Sequence, residues 1–96
     1  MERRKSENLS DVILRVLREQ GLETPLREHR AVEAWPKVVG EAVARSTSDV
    51  HIYNQKLYVR VSNPLIRTNL SYERTALVEK LNKAAGGQTI TDIVLI

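Results

Sequence analysis

The sequence lacks several residues and motifs on which whole classes of protein depend. Its 96 residues include no cysteine, which excludes a disulfide framework, a thiolate zinc site and a cysteine nucleophile. No apolar run reaches the ~18–20 residues of a membrane-spanning helix, and the polar start lacks the apolar core of a signal peptide. No glycine-rich loop followed by Lys-Ser/Thr is present, so no P-loop ATP site is expected. We therefore expect a cytoplasmic protein without membrane association.

The composition that remains is that of a soluble globular domain. Hydrophobic residues make up 42% of the chain and charged residues 28%. We expect residues 1–8 to be a flexible N-terminus and residues 9–96 to form a single domain. The net charge is +3; residues 1–55 hold nine basic and nine acidic residues, and residues 56–96 hold six basic and three acidic. The excess positive charge therefore lies in the second half, where it suits a polyanion or an acidic protein surface.

Two helices are predicted before the first strand. Ser10 is a natural N-cap for a helix that ends at Gly21. Thr24–Pro25 begins a second helix with a capping hydroxyl and a proline in the first turn. Trp35 precedes Pro36, and the residue before a proline avoids the helical region. We therefore expect a kink or a break at this point, after which the helical pattern resumes.

Alternating apolar and polar residues predict a β-hairpin over residues 49–61. A two-residue turn at Asn54–Gln55 keeps the apolar residues of both strands on one face, which favours this register over a three-residue loop. A four-residue loop remains open, because the two-residue turn requires a positive φ at Gln55. On the outer face, the favoured register pairs His51 with Tyr58, Tyr53 with Lys56, and Asp49 with Arg60.

The second half predicts one long helix and one more strand. Asn63–Pro64 begins the longest predicted helix, which runs to about Ala84 and ends at Gly86–Gly87. Residues 89–96 then form a strand with apolar residues on both faces. The β-α-β crossover makes this strand parallel to the second one. The predicted fold is α+β in the order α-α-β-β-α-β, a small mixed three-stranded sheet with helices packed on one face and the other face exposed.

Two stretches of the sequence carry a resemblance to a known family. The first contains Trp35, Val38, Val39, Gly40, Val43 and Ala44. The second contains Leu57, Val59, Val61, Asn63, Pro64, Leu70, Leu77, Leu81, Asn82 and Gly86. Together they resemble the conserved domain of the bacterial DciA family, over residues 9–96.

This resemblance implies a KH-like fold and a role in recruiting or loading the replicative DnaB-type helicase onto DNA. It implies the helicase as partner, with or without direct contact to single-stranded or duplex DNA, and a location at the nucleoid. Better-known members resemble a two-part protein with a long, basic, flexible extension. The sequence ends at Ile96 on the last predicted strand, so we expect a short form without that extension. The Gly-x-x-Gly loop of KH domains is missing, so the resemblance supports the fold more than RNA binding.

Seven residues are candidates for contact with nucleic acid or a protein partner. The outer hairpin face interleaves aromatic and basic side chains, which can stack on bases and neutralise phosphates. The alternative is an ordinary solvated strand surface, in which tyrosine is common. Two arginines of the long helix either extend this patch or belong to a solvated helix face. The seven candidates are His51, Tyr53, Lys56, Tyr58, Arg60, Arg67 and Arg74.

No arrangement of residues in the sequence predicts catalysis. His29 and Glu33 have a helical spacing that suits a metal, but no further ligand converges on them, and we interpret them as a surface ion pair. Trp35 is predicted to fill the core, and Gly40 to permit close helix packing. We expect neither enzymatic activity nor a cofactor or metal.

Three functional hypotheses follow from these residues and the resemblance. The first is a non-enzymatic DNA-replication accessory domain that binds the replicative helicase. The second is a generic small DNA- or RNA-binding module, whose affinity would depend on salt. The third is a dimeric adaptor with no nucleic-acid role, which would bury the outer hairpin face. The sequence leaves the oligomeric state open.

Overall fold

The computed structural model describes residues 9–19 and 23–96, and the expected flexible segment 1–8 lies outside the described residues. The chain forms five helices and three strands in this described part, matching the predicted α+β class and order. In chain order they are α1 (Leu9–Glu19), α2 (Glu23–Val39), α3 (Glu41–Ala44), β1 (Thr47–Tyr53), β2 (Lys56–Val61), α4 (Pro64–Tyr72), α5 (Arg74–Ala85) and β3 (Asp92–Leu95). None of these helices is long and apolar enough to cross a membrane.

The three strands form one mixed sheet in the order β1-β2-β3. β1 and β2 are antiparallel, and β2 and β3 are parallel, as the crossover through α4 and α5 predicts. One face of the sheet carries the core: Leu57 and Val59 of β2 are fully buried, and Ile93 of β3 is 1% exposed. The helices pack on this face and contribute Trp35, Leu70, Leu77 and Leu81 to the same cluster. No helix of the described residues covers the opposite face.

The hairpin turn has the predicted length. Asn54 and Gln55 both adopt a positive φ, 54° and 66°, which is the type I′ turn that suits a two-residue hairpin loop. The register pairs Ile52 with Leu57 and His51 with Tyr58, as predicted. Asparagine tolerates this left-handed conformation, whereas Gln55 holds it with strain.

Further along, a β-bulge corrects the predicted register. Ser48, and not Asp49, lies opposite Arg60, because the register shifts between Ser48 and His51. Asp49 has a φ of 52°, so it forms the extra, left-handed residue of the bulge. The extra residue reverses the faces that precede it. Thr47, which a regular strand would turn outward, lies opposite Val61 on the core side.

This reversal gives the indole N–H of the buried Trp35 a hydrogen-bond partner. Trp35 is 2% exposed, which confirms it as a core residue. Its indole Nε1–H donates a hydrogen bond to Thr47 Oγ1 at 3.1 Å, and the same hydroxyl donates to the carbonyl of Ala44 at 2.8 Å. A buried indole needs such a partner, since an unmade hydrogen bond costs free energy.

Of the kink or break predicted at Pro36, the break is wrong. α2 continues through Pro36 to Val39, because a proline's fixed φ is itself helical and its missing N–H removes only one bond. The Pro36 carbonyl accepts from Gly40 N at 3.0 Å, which closes the last turn. The helix ends instead at Gly40, whose φ of 94° and ψ of 154° suit only glycine. The predicted packing role for Gly40 is also wrong, since a Cβ there would meet nothing within 4 Å.

The long helix predicted from Asn63 is divided in two at Glu73. The predicted start is confirmed: Asn63 Oδ1 accepts from the backbone N–H groups of Leu65 and Ile66, at 2.9 and 3.3 Å. At the division, Glu73 N donates to the Leu70 carbonyl at 3.0 Å, a tightened turn that redirects the chain into α5. The backbone of Glu73, with φ −109° and ψ 13°, is open to almost any residue.

The side chain of Asn82 fixes the connection from α5 to β3. Its Oδ1 accepts from the N–H groups of Thr89 and Ile90, both at 2.9 Å. Its Nδ2 donates to the Ile90 carbonyl at 2.9 Å. Gly86, with a φ of 92°, ends α5 in the left-handed conformation. These contacts hold Ile90 in the core ahead of the strand, so β3 begins at Asp92 and not at the predicted residue 89.

Candidate interaction surface on the exposed sheet face

The sheet face turned away from the helices carries most of the predicted site residues. We call it the outer sheet face and define it by His51, Tyr53, Lys56, Tyr58, Arg60, Asp92 and Val94. The register explains their grouping, since directly paired residues share a face. Tyr53 is 70% exposed. The hairpin thus presents aromatic side chains to solvent from a rigid scaffold.

Two rings on this face are held against each other. The rings of His51 and Tyr58 stack with centroids 5.3 Å apart and planes 8° apart. His51 Nδ1 lies 2.9 Å from the backbone carbonyl of Asp49. Because that carbonyl can only accept, Nδ1 carries the proton in this bond and Nε2 of the neutral ring remains an acceptor. The bulge therefore orients the imidazole, and the two rings are held in a fixed arrangement on this face.

The arginines around this face are largely neutralised by aspartates. Arg60 Nε lies 3.0 Å from Asp49 Oδ2, and Arg74 Nε lies 3.8 Å from Asp92 Oδ1. All four side chains are at least half exposed, so each pair adds at most about 1 kcal/mol to stability. The pairs nevertheless cancel the local positive charge. Lys56 is the one cation of the face without an ion pair among the described residues.

Arg67 occupies a different environment from the one predicted for it. The division at Glu73 places it on α4 and Arg74 on α5, so the two do not lie along one continuous helix. Arg67 Nη2 donates to the Val61 carbonyl at 3.2 Å. Its Nε is buried without a hydrogen-bond partner in the described structure. Arg67 therefore ties α4 to the end of β2, whereas Arg74 reaches the edge of the outer sheet face through Asp92.

One exposed feature was not identified from the sequence: a pair of large side chains on α4. Leu65 is 70% exposed and Tyr72 is 82% exposed. Their spacing of seven residues, two helical turns, places both on one line of the helix. This spacing is visible in the sequence and could have identified the pair. The other side of α4 borders a groove of about 280 Å³, lined by Val38, Val43, Ile66, Leu70 and Leu77 among others.

Nothing in the described residues suggests a metal centre. No group of three or more histidine, aspartate or glutamate side chains gathers closely enough to hold an ion in the part of the chain described. His29 and Glu33 line a shallow groove together, but no ion pair joins them. The surface ion pair predicted for them is therefore wrong.

The family assignment rests on nearly the whole chain. The sequence model of the family described as Dna[CI] antecedent, DciA, matches residues 8–95. The chain belongs to the DciA family. No curated protein matches it. The match confirms the resemblance seen in the sequence and identifies the chain with a family associated with loading of the DnaB helicase, one that is not known as catalytic.

The residues that carried the family resemblance have structural tasks. Trp35 fills the core and anchors Thr47, and Asn63 caps α4. Asn82 holds the approach to β3, and Gly86 ends α5. DciA family membership therefore identifies the scaffold in this chain, and the residues of the outer sheet face are not among those that carried the resemblance.

Proposed function

We propose that this chain is a non-enzymatic DNA-replication accessory domain that binds the replicative DnaB-type helicase through its outer sheet face. The family supports the replication role. The observation that carries the surface is a preordered aromatic face that none of the described helices covers. Arg60 on this face and Arg74 at its edge are both paired with aspartates. A charge-balanced aromatic surface suits a protein interface better than bare phosphate, because tyrosine side chains dominate such interfaces at low entropic cost.

The domain would act by binding energy alone. Tyr53 offers the largest exposed aromatic surface of the face, and the stacked His51 and Tyr58 supply a second, ordered contact. Lys56 and the Arg60–Asp49 pair lie at the same face and would set orientation more than affinity. This activity would place the chain in the cytoplasm, at the nucleoid, and calls for no cofactor.

The test is binding of the purified chain to the helicase of the same organism, by biolayer interferometry without nucleic acid. Tyr53→Ala should weaken binding by about 10-fold or more, the range of an interface hot spot. Tyr72→Ala is the matched control, since it removes a tyrosine of α4 that is at least as exposed as Tyr53. Equal losses in the two variants, or no helicase binding by the wild type, would refute the proposed surface.

The stacked rings also favour a second candidate, a generic nucleic-acid module, because such rings can stack on bases. That function predicts salt-dependent binding of an oligonucleotide that Tyr53→Ala weakens, with no association with the helicase. The dimeric adaptor predicts that the wild type has twice the monomer mass in light scattering and that Tyr53→Ala is monomeric. Both are separable from helicase binding in the same set of samples.

A further inference from the structure

In the described part of the chain, four cations without an ion pair lie on α2 and α5 of the helical layer, against one, Lys56, on the outer sheet face. α2 and α5 pack antiparallel: Arg30 lies beside Gly86 at one end of their seam, and Val38 and Lys80 line one groove at the other. Between these ends, Ala34 and Ala84 line a second groove of about 390 Å³. The small alanine side chains leave this groove open to long side chains on either side.

Four basic side chains border this seam, and we call them the basic seam: Arg30, Lys37, Lys80 and Lys83. Arg30 and Lys37 line one groove from α2, and Lys80 lines the other from α5. Lys83 follows Lys80 by three residues, so the two side chains are neighbours on the surface of α5. None of the four side chains has an ion pair or hydrogen bond within the described part of the chain. Lys37, Lys80 and Lys83 are exposed, and Arg30 is half-buried.

For two of these lysines, the position in the helix is enough to explain a positive charge, but this does not explain why all four cations lie together. Lys37 and Lys83 lie in the last turns of their helices, where a cation offsets the helix dipole. Arg30 and Lys80 lie outside those turns, yet both border the same seam. Glu33 lines the groove, and Glu73 lines the neighbouring one with Lys80. The seam thus keeps an excess of positive charge, unlike the outer sheet face, where aspartates pair both arginines.

We propose that the basic seam binds the phosphate backbone of nucleic acid, on the side of the domain opposite to the outer sheet face. The seven-residue separation of Arg30 and Lys37 corresponds to about 10 Å of helix, about the axial rise of three phosphates on one strand of a duplex. Among the described residues that line its two grooves there is no tyrosine or tryptophan, and His29 is the one ring. We therefore expect the contacts of the seam to be with phosphates and not to read sequence. The inference rests on the proposed function for its biological setting: one face holds the helicase and the other holds the strand. Its test does not need the helicase.

The test compares two triple variants of the full chain that lose the same charge from opposite faces. Lys37→Gln with Lys80→Gln and Lys83→Gln removes three cations of the seam. Lys56→Gln with Arg60→Gln and Arg74→Gln removes two cations of the outer sheet face and one at its edge. All six side chains are exposed, and thermal melts check that both variants fold. Binding of fluorescent dT20, and of a duplex of equal length, is measured by anisotropy at several salt concentrations.

For single strands, the slope of log K against log salt is about −0.7 for each phosphate that the protein contacts. The loss of three contacts should therefore make this slope less steep by about 2. At 0.1 M salt this corresponds to about 100-fold weaker binding of dT20 by the seam variant. We expect the outer-face variant to stay within a few-fold of wild type. The seam variant should lose duplex binding in parallel, because the phosphates are common to both ligands, and the tighter arm identifies the preferred form.

Several results would contradict the proposal that the basic seam binds phosphates. Equal losses in the two triple variants would mean that net charge alone decides, and a loss confined to the outer-face variant would place the strand on the sheet. A wild type that binds neither oligonucleotide would also end the proposal. Helicase binding of the seam variant, measured without nucleic acid, should remain within two-fold of wild type. Loss of helicase binding in the seam variant would contradict the proposal that helicase and nucleic acid bind separate surfaces. Failure of the wild type to bind helicase would refute the proposed function but would not affect the proposal for the basic seam.

Discussion

Replacing Asn82 with alanine tests how β3 is held in place. The substitution removes the acceptor for the Thr89 and Ile90 N–H groups and one of two donors to the Ile90 carbonyl. Gln88 Nε2 still reaches that carbonyl at 3.0 Å, so the carbonyl keeps a partner. The two N–H groups do not, and they belong to residues 7% and 0% exposed.

The expected cost follows from those two orphaned donors. A buried donor left without a partner costs ~1–3 kcal/mol, so Asn82→Ala should lower the free energy of unfolding by about 3 kcal/mol. For a domain of this size the loss corresponds to a fall in Tm of about 15 °C. Because a small domain has only ~5–15 kcal/mol in total, the variant should fold but melt early.

Urea unfolding followed by the fluorescence of Trp35, the one tryptophan of the chain, measures this directly. Gln88→Ala is the control, since it removes only the second donor to the Ile90 carbonyl, and it should cost under ~1 kcal/mol. A loss of 1 kcal/mol or less for Asn82→Ala, with an unchanged m-value, would show that the loop holds itself or that water replaces the amide. The Asn82 account would then be wrong.

Two further predictions concern backbone conformation, and both are read from urea unfolding. Gly40→Ala should destabilise the domain by ~1–3 kcal/mol, because its φ of 94° strains any side chain although the space around it is open; a neutral substitution would mean that the turn relaxes without cost. Gln55→Gly should stabilise the domain by about 0.5–1 kcal/mol, because it relieves a φ of 66° in the hairpin turn. A destabilised Gln55→Gly variant would show that glycine's entropy in the unfolded chain outweighs the relief.

The sequence predicted those features that follow from local residue chemistry. The Asn63–Pro64 start of α4, the glycine end of α5 and the two-residue hairpin turn each have a residue whose side chain or backbone favours that conformation. The alternation of apolar residues also placed Leu57 and Val59 on the core face. These features need no knowledge of what packs nearby.

The features that were missed depend on tertiary structure. Glu73 divides a helix with a backbone conformation that any residue can adopt, so no residue type marks it. Asp49 forms the bulge because Thr47 must turn inward to meet Trp35, and that partner is twelve residues away from Thr47. The prediction at Pro36 failed because a general rule about proline was applied without knowledge of the packing. The preceding residue, Trp35, is anchored in the core, and α2 continues through the proline.

For the candidate site, the hairpin pattern was enough to group the aromatic and basic residues of the outer sheet face. The predicted register also brought Asp49 to Arg60, and the two side chains do form an ion pair, although the bulge places Ser48 opposite Arg60 in the backbone register. The pattern could not show that Asp92 pairs with Arg74, since that contact joins β3 to α5. Those two pairs change the interpretation of the face from a phosphate-binding patch to a protein interface. They also leave the helical layer as the more cationic side.

The central claim is that the helicase contacts the outer sheet face, and an NMR titration of the isotopically labelled chain with unlabelled helicase tests it most directly. We predict that signals of residues 51–60 broaden or shift first, at sub-stoichiometric helicase and without nucleic acid. Signals from α4, which carries the exposed Leu65 and Tyr72, should stay unchanged at the same ratio. Perturbation centred on α4, with the hairpin unaffected, would contradict the account.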